Sequence, residues 1–191
     1  MAHRHSSQVS LPTIPRTWRD VPLGPQGFRR LLNLWPPYLA AGVRITQILS
    51  GFAGATVTLR VRAWNANYFG TAFGGTLFAM SDPFWVLLLI NRLGPDYSVL
   101  DAKAEIEFLA MGRGDLRTTF EVSQDLVDQL RAEADTGQKV LHWLTNEVVD
   151  RQGTVVARIR KQIYVKHRPA GAGGPVGVRA RVTYAGRHVW E

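Results

Sequence analysis

The chain contains no cysteine among its 191 residues, which excludes disulfides and every thiolate metal or redox site. Histidine is scarce and scattered: His3, His5, His142, His167 and His188 show no metal-ligand spacing. No long apolar run is present. The most hydrophobic stretch, Phe84 to Ile90 (FWVLLLI), is far too short to span a bilayer. Residues 1–27 lack the apolar core of a secretory signal. A soluble, cytoplasmic protein is expected. Nucleotide-binding glycine loops, a nucleophile elbow and a Ser-His-Asp set are also missing.

Acidic residues are the minority, and the net charge is +8. Its location argues against a nucleic-acid protein. Residues 1–30 carry five arginines against one aspartate, and residues 167–191 carry four against one glutamate, so the body is nearly neutral. A nucleic-acid module would concentrate the excess on its folded face.

What is present suggests one domain between two tails. Residues 1–27 hold four prolines and read as an extended arm. Residues 168–191, rich in Gly, Pro and Arg, read as a flexible tail. Between them, residues 28–167 carry regular patterning. Phe28, Leu31, Leu32 and Trp35 recur at helical spacing. Val43 to Leu49 is a strand. In residues 54–64, Ala55, Val57, Leu59, Val61 and Ala63 alternate with Thr56, Thr58, Arg60 and Arg62, as on a half-buried strand. A largely apolar helix runs from Gly74 to about Leu93 and stops at Gly94-Pro95. Residues 98–110 alternate again, with Leu100, Ala102, Ala104, Ile106 and Phe108 on one face and Asp101, Lys103, Glu105 and Glu107 on the other. Residues 115–122, 139–150 and 154–167 are further strands. Residues 123–135 form a short helix capped by Ser123. A long apolar helix needs cover, and an antiparallel sheet wrapped around it supplies that cover. The expected class is α+β.

The chemistry centres on residues 65–82, NANYFGTAFGGTLFAMSD. Gly74 and Gly75 open the long helix. The N–H groups of a first helical turn have no intrahelical acceptor and can polarise a carbonyl, and glycine permits close approach. Asp82 follows seven residues after Gly75, on nearly the same helical face but ~10 Å further along the axis. It cannot act on a carbonyl held at Gly75 of its own chain. A twofold-related helix would bring the two together, so a joint role requires a dimer. Asp82 can also be read as a helix cap, because Ser-Asp-Pro is a helix-start pattern and Pro83 must break or kink the helix.

The segment resembles the signature of the hotdog-fold thioesterase superfamily, in its phenylacetic-acid-pathway branch: Asn67, five residues, Phe73-Gly74-Gly75, six residues, Asp82. Residues 103–116 resemble that superfamily's third strand and turn. The similarity spans about residues 28–167 and is nearer still to an uncharacterised bacterial group of thioesterase-like proteins. It implies hydrolysis of a small-molecule acyl thioester, with coenzyme A as the carrier, by a homodimer or dimer of dimers needing no metal or other cofactor. Asp82 would activate water or attack the carbonyl. The Gly75 N–H would polarise that carbonyl, and Asn67 would contact substrate or water. Gly74, Phe73, Thr71 and Asn65 would line the substrate. Phe73 stands where the superfamily has histidine, and a phenyl ring donates no hydrogen bond. The alternative function is therefore an acyl-binding hotdog protein without turnover. Lys103, Arg113, Arg158 and Arg160 are candidates for the carrier's phosphates.

Overall fold

Residues 23–168 are described by a computed structural model. The two tails, 1–22 and 169–191, lie outside the described residues, and so do most of the arm and tail expected from the sequence. Helix α1 (Pro25–Leu34) opens with proline at its first position and buries Phe28 and Leu32. It starts within the segment expected to be extended, because a proline there costs no hydrogen bond. Pro36 and Pro37 end that helix and open α2 (Pro36–Ala41). Strands β1 (Val43–Ile48) and β2 (Gly54–Arg60) pair antiparallel through a short 3-10 turn at Ser50–Phe52.

The apolar helix comes next, in two pieces. Helix α3 (Gly74–Ala79) and helix α4 (Phe84–Leu93) flank a turn at residues 80–83. Pro83 is responsible. It has no N–H for the Ala79 carbonyl, which is served instead by the Tyr38 hydroxyl at 3.0 Å and the Asp82 N–H at 3.3 Å. Burial above all, and then the Asp82 charge, raise the Tyr38 pKa far above the ordinary phenol range, so the hydroxyl remains a donor.

Strands β3 (Tyr97–Phe108), β4 (Asp115–Glu121), β5 (Val140–Val149) and β6 (Val155–His167) complete one antiparallel sheet in the order β1-β2-β4-β5-β6-β3. Helix α5 (Gln124–Ala134) lies between β4 and β5, and the Ser123 hydroxyl caps it by accepting from Leu126 N–H at 3.1 Å. The sheet wraps the split helix. Phe84, Leu88 and Leu89 of α4 are fully buried with Val57, Leu59, Phe120, Val148, Ile159 and Ile163 of the strands. This is the α+β hotdog arrangement expected from the sequence.

Strand β3 departs from that expectation. A bulge between Asp101 and Lys103 shifts its register against β6. Before it, Val99 and Asp101 pair with Val165 and Ile163, both inward. After it, Ala104, Ile106 and Phe108 pair with Lys161, Ile159 and Ala157, also inward. Simple alternation puts Asp101 and Ile106 on opposite faces. The extra residue puts them on the same one.

Candidate active site

Loop 61–73 leaves β2 and delivers the chain to α3. It is tied internally and to the 112–114 turn. Asn67 N–H donates to Thr71 O, Ala72 N–H to Gly112 O, and Arg113 to the Gly70 carbonyl at 3.3 Å. Asn67 organises the loop. Its Oδ1 accepts from Phe69 N–H (2.9 Å) and Thr71 N–H (3.1 Å), and its Nδ2 donates to Thr71 Oγ1 (2.9 Å) and Ala72 O (3.3 Å). Asn65 works in the same way one step earlier. It donates to Ala41 O and Arg60 O and accepts from Arg62 N–H. Both asparagines and the buried Thr71 thus spend their polar groups on holding the loop.

Phe73 caps α3, and its ring lies across Gly75. A Cβ on Gly75 would sit 2.5 Å from that ring, and one on Gly74 would sit 2.9 Å from the ring of Phe108. The glycines are needed for these two approaches. Among the described residues, the Gly74 and Gly75 N–H groups have no acceptor, whereas those of Thr76 and Leu77 return to Phe73 O. The mouth of α3 therefore offers two unspent donors under an exposed phenyl ring.

Asp82 sits in the turn between the half-helices. It does not cap α4, whose N-cap is Pro83 with no side-chain cap bond. The adjacent Ser81 is committed elsewhere, accepting from Asn146 Nδ2 at 2.8 Å. The Asp82 carboxylate is instead held through Oδ1 by the ammonium of Lys161 at 2.9 Å. Its side chain is 54% exposed, and Oδ2 has no hydrogen-bond partner among the described residues. No hydrogen bond joins Asp82 to Gly75, Asn67 or Asn65 of the same chain. The acid and the glycine donors are separate features of this chain.

Sequence reading missed Lys161. Its side chain is 1% exposed, and its three donors are all used: Asp82 O at 2.6 Å, Asp82 Oδ1 at 2.9 Å and Asp101 Oδ2 at 2.7 Å. Burial above all raises the Asp101 pKa, Lys161 opposes the rise, and the Asp82 charge adds to it. A signal existed. Lys161 occupies the inward row Ala157, Ile159, Ile163, Val165 of β6, and a lysine in such a row needs a buried anion.

Asn146 was missed for the same reason. It lies on the inward row of β5 and receives the Trp85 indole N–H at 3.2 Å, while donating to Ser81 and Thr118 hydroxyls. Of the candidate phosphate contacts, Lys103 and Arg160 pair with Glu105, and Arg158 pairs with Glu107 and Glu147. Arg113 lines a groove of about 760 Å³ with Arg60, Arg62 and Arg151, and there Asp115 pairs with Arg60 and Arg151. Among the described residues, no group of three His, Asp or Glu side chains could hold a metal, and no helix is long and apolar enough to cross a membrane.

The family described as "Domain of unknown function (DUF4442)" matches residues 24–165. No curated protein matches the chain. Among solved structures, a Pseudomonas aeruginosa protein of unknown function described as a probable thioesterase is 20% identical. The likeness covers 73% of this chain and 93% of that one, with a TM-score of 0.66. A thioesterase from Haemophilus influenzae is 12% identical over 79% and 96%, with a TM-score of 0.57. The PaaI protein from the phenylacetic acid degradation operon of E. coli is 21% identical over 75% and 91%, with a TM-score of 0.51. These likenesses are of fold alone, and the shared fold is the hotdog fold.

Proposed function

The chain belongs to the DUF4442 family, and from that premise we propose that it hydrolyses a small acyl thioester, with coenzyme A as the carrier, through Asp82. One observation carries the reading. The half-exposed Asp82 carboxylate is fixed at one oxygen by Lys161 and has no partner at the other among the described residues, in a motif whose glycines leave two N–H donors unspent there. A carboxylate so placed can take the proton of an attacking water or add to the carbonyl itself. Backbone N–H groups aimed at the thioester oxygen stabilise the oxyanion that either route creates.

The acid and the donors are then two half-sites, which meet only if a second chain supplies one of them, so the working unit is a homodimer. Strand β3 supports this. It is an edge of the sheet, 12 residues long, and Leu100, Phe108, Leu109 and Met111 on and beside it are exposed. An open apolar edge favours pairing with another chain. Asn67, Thr71 and Asn65 serve by holding loop 61–73, and Phe73 offers its exposed ring to the acyl group beside Gly74 and Gly75. No metal or other cofactor enters the reaction, and a cytoplasmic setting suits a coenzyme A thioester.

Phe73 in place of a hydrogen-bond donor favours a second reading, an acyl-binding protein without turnover. A panel of short, aromatic and long acyl-CoAs separates the two by release of free thiol. Turnover above background on at least one class is expected. Saturable binding with no thiol release on any of them would select the binding protein instead.

A further inference from the structure

We propose that Lys161 is a positioning residue for Asp82, and that Asp101 anchors it; the proposal rests on the Asp82 reading above. Three observations carry it. First, Lys161 is the one charged residue on the inward row of β6, and it has no N–H left for a substrate. It therefore holds its protein partners and not the substrate. Second, it grips Asp82 twice, through carboxylate and carbonyl, in the turn that Pro83 forces on the helix. A carboxylate at such a break swings freely unless something inside the protein holds it. Third, the bulge in β3 places Asp101 on the inner face, where it takes the third N–H. An ammonium with one partner would draw Asp82 inward. Shared between two carboxylates, it holds Asp82 by Oδ1 and leaves Oδ2 without a partner among the described residues.

A bland alternative is that Lys161 only satisfies the helix break. The two roles differ in what a variant does to kcat. The test measures kcat, KM and thermal stability for Lys161→Met, Lys161→Arg and Asp101→Asn beside Asp82→Asn. For folded Lys161→Met, kcat is expected to fall roughly 10- to 100-fold with KM within about 2-fold, the scale of a misplaced reacting group. Lys161→Arg should recover part of that loss. If Lys161→Met fails to fold, Asp101→Asn decides. It keeps an oxygen for Lys161, and its kcat is expected to fall about 10-fold. A folded Lys161→Met, or failing that a folded Asp101→Asn, with wild-type kcat and only a lower melting temperature overturns the positioning role and leaves the Asp82 reading intact. An Asp82→Asn variant as active as wild type overturns the Asp82 reading and this proposal with it.

Discussion

Asp82→Asn is expected to lower kcat/KM for the best thioester by roughly 10²-fold or more, the usual contribution of a positioned acid–base group. The substitution is nearly isosteric. Its amide oxygen still accepts from Lys161, which also keeps Asp101 and the backbone carbonyl of residue 82. Stability should therefore change by only about 1 kcal/mol, since removing charge from a half-exposed partner costs little. Both numbers matter. A purely structural Asp82 would show the reverse: intact turnover and a clear loss of stability. The structure already argues against the capping role, because α4 has no side-chain cap. Steady-state kinetics with a urea titration on the same preparation measures both quantities.

Asn146→Ala should have the largest effect on stability. Asn146 is 4% exposed and joins four elements: its own β5, Thr118 on β4, Trp85 on α4 and Ser81 in the turn. The indole can only donate, so it fixes the amide with its oxygen toward Trp85 and its nitrogen toward the two hydroxyls. Truncation leaves the indole N–H and two hydroxyls buried without this partner, and opens a small cavity. Unsatisfied buried groups and lost packing together should cost about 3–5 kcal/mol. That is a large share of the roughly 5–15 kcal/mol that holds a domain folded. Urea unfolding of Asn146→Ala would show it as a lower midpoint with an unchanged slope. A loss under about 1 kcal/mol would mean that the network is incidental. Because Ser81 precedes Asp82, the folded fraction of the variant should also lose activity.

Local patterns made much of the fold legible. Alternation in residues 54–64 foretold the buried row Ala55, Val57, Leu59, but the strand ends at Arg60, and Val61 and Ala63 belong to the loop that follows. The largely apolar stretch from Gly74 to about Leu93 foretold a buried helix, which the structure divides at residues 80–83, and the Asn–Gly-Gly–Asp spacing led to the fold family. What the sequence hid is long-range. Lys161 meets Asp82 and Asp101 across 79 and 60 residues of chain, and Asn146 meets Ser81 across 65. No window contains both partners. The β3 bulge is equally silent, because a half-exposed Leu100 and an inward, charged Asp101 keep the apolar-charged alternation of residues 98–108 unbroken across it. Pro83 announced a break in the helix, but not that Tyr38 would serve the orphaned carbonyl. Parity alone could have flagged Lys161 and Asn146 as polar residues on inward rows. It could not have named their partners.

The most direct test of the shared site mixes two inactive chains. Asp82→Asn removes the acid, and Gly75→Val drives a side chain into the Phe73 ring at the donor half-site. Each homodimer should be inactive. Unfolded together and refolded, the two chains should form mixed dimers in which one of two sites has both halves intact, restoring up to about a quarter of wild-type turnover. No recovery above the separate variants, with mixed dimers shown to be present, would contradict a site built from the glycines of one chain and Asp82 of its partner.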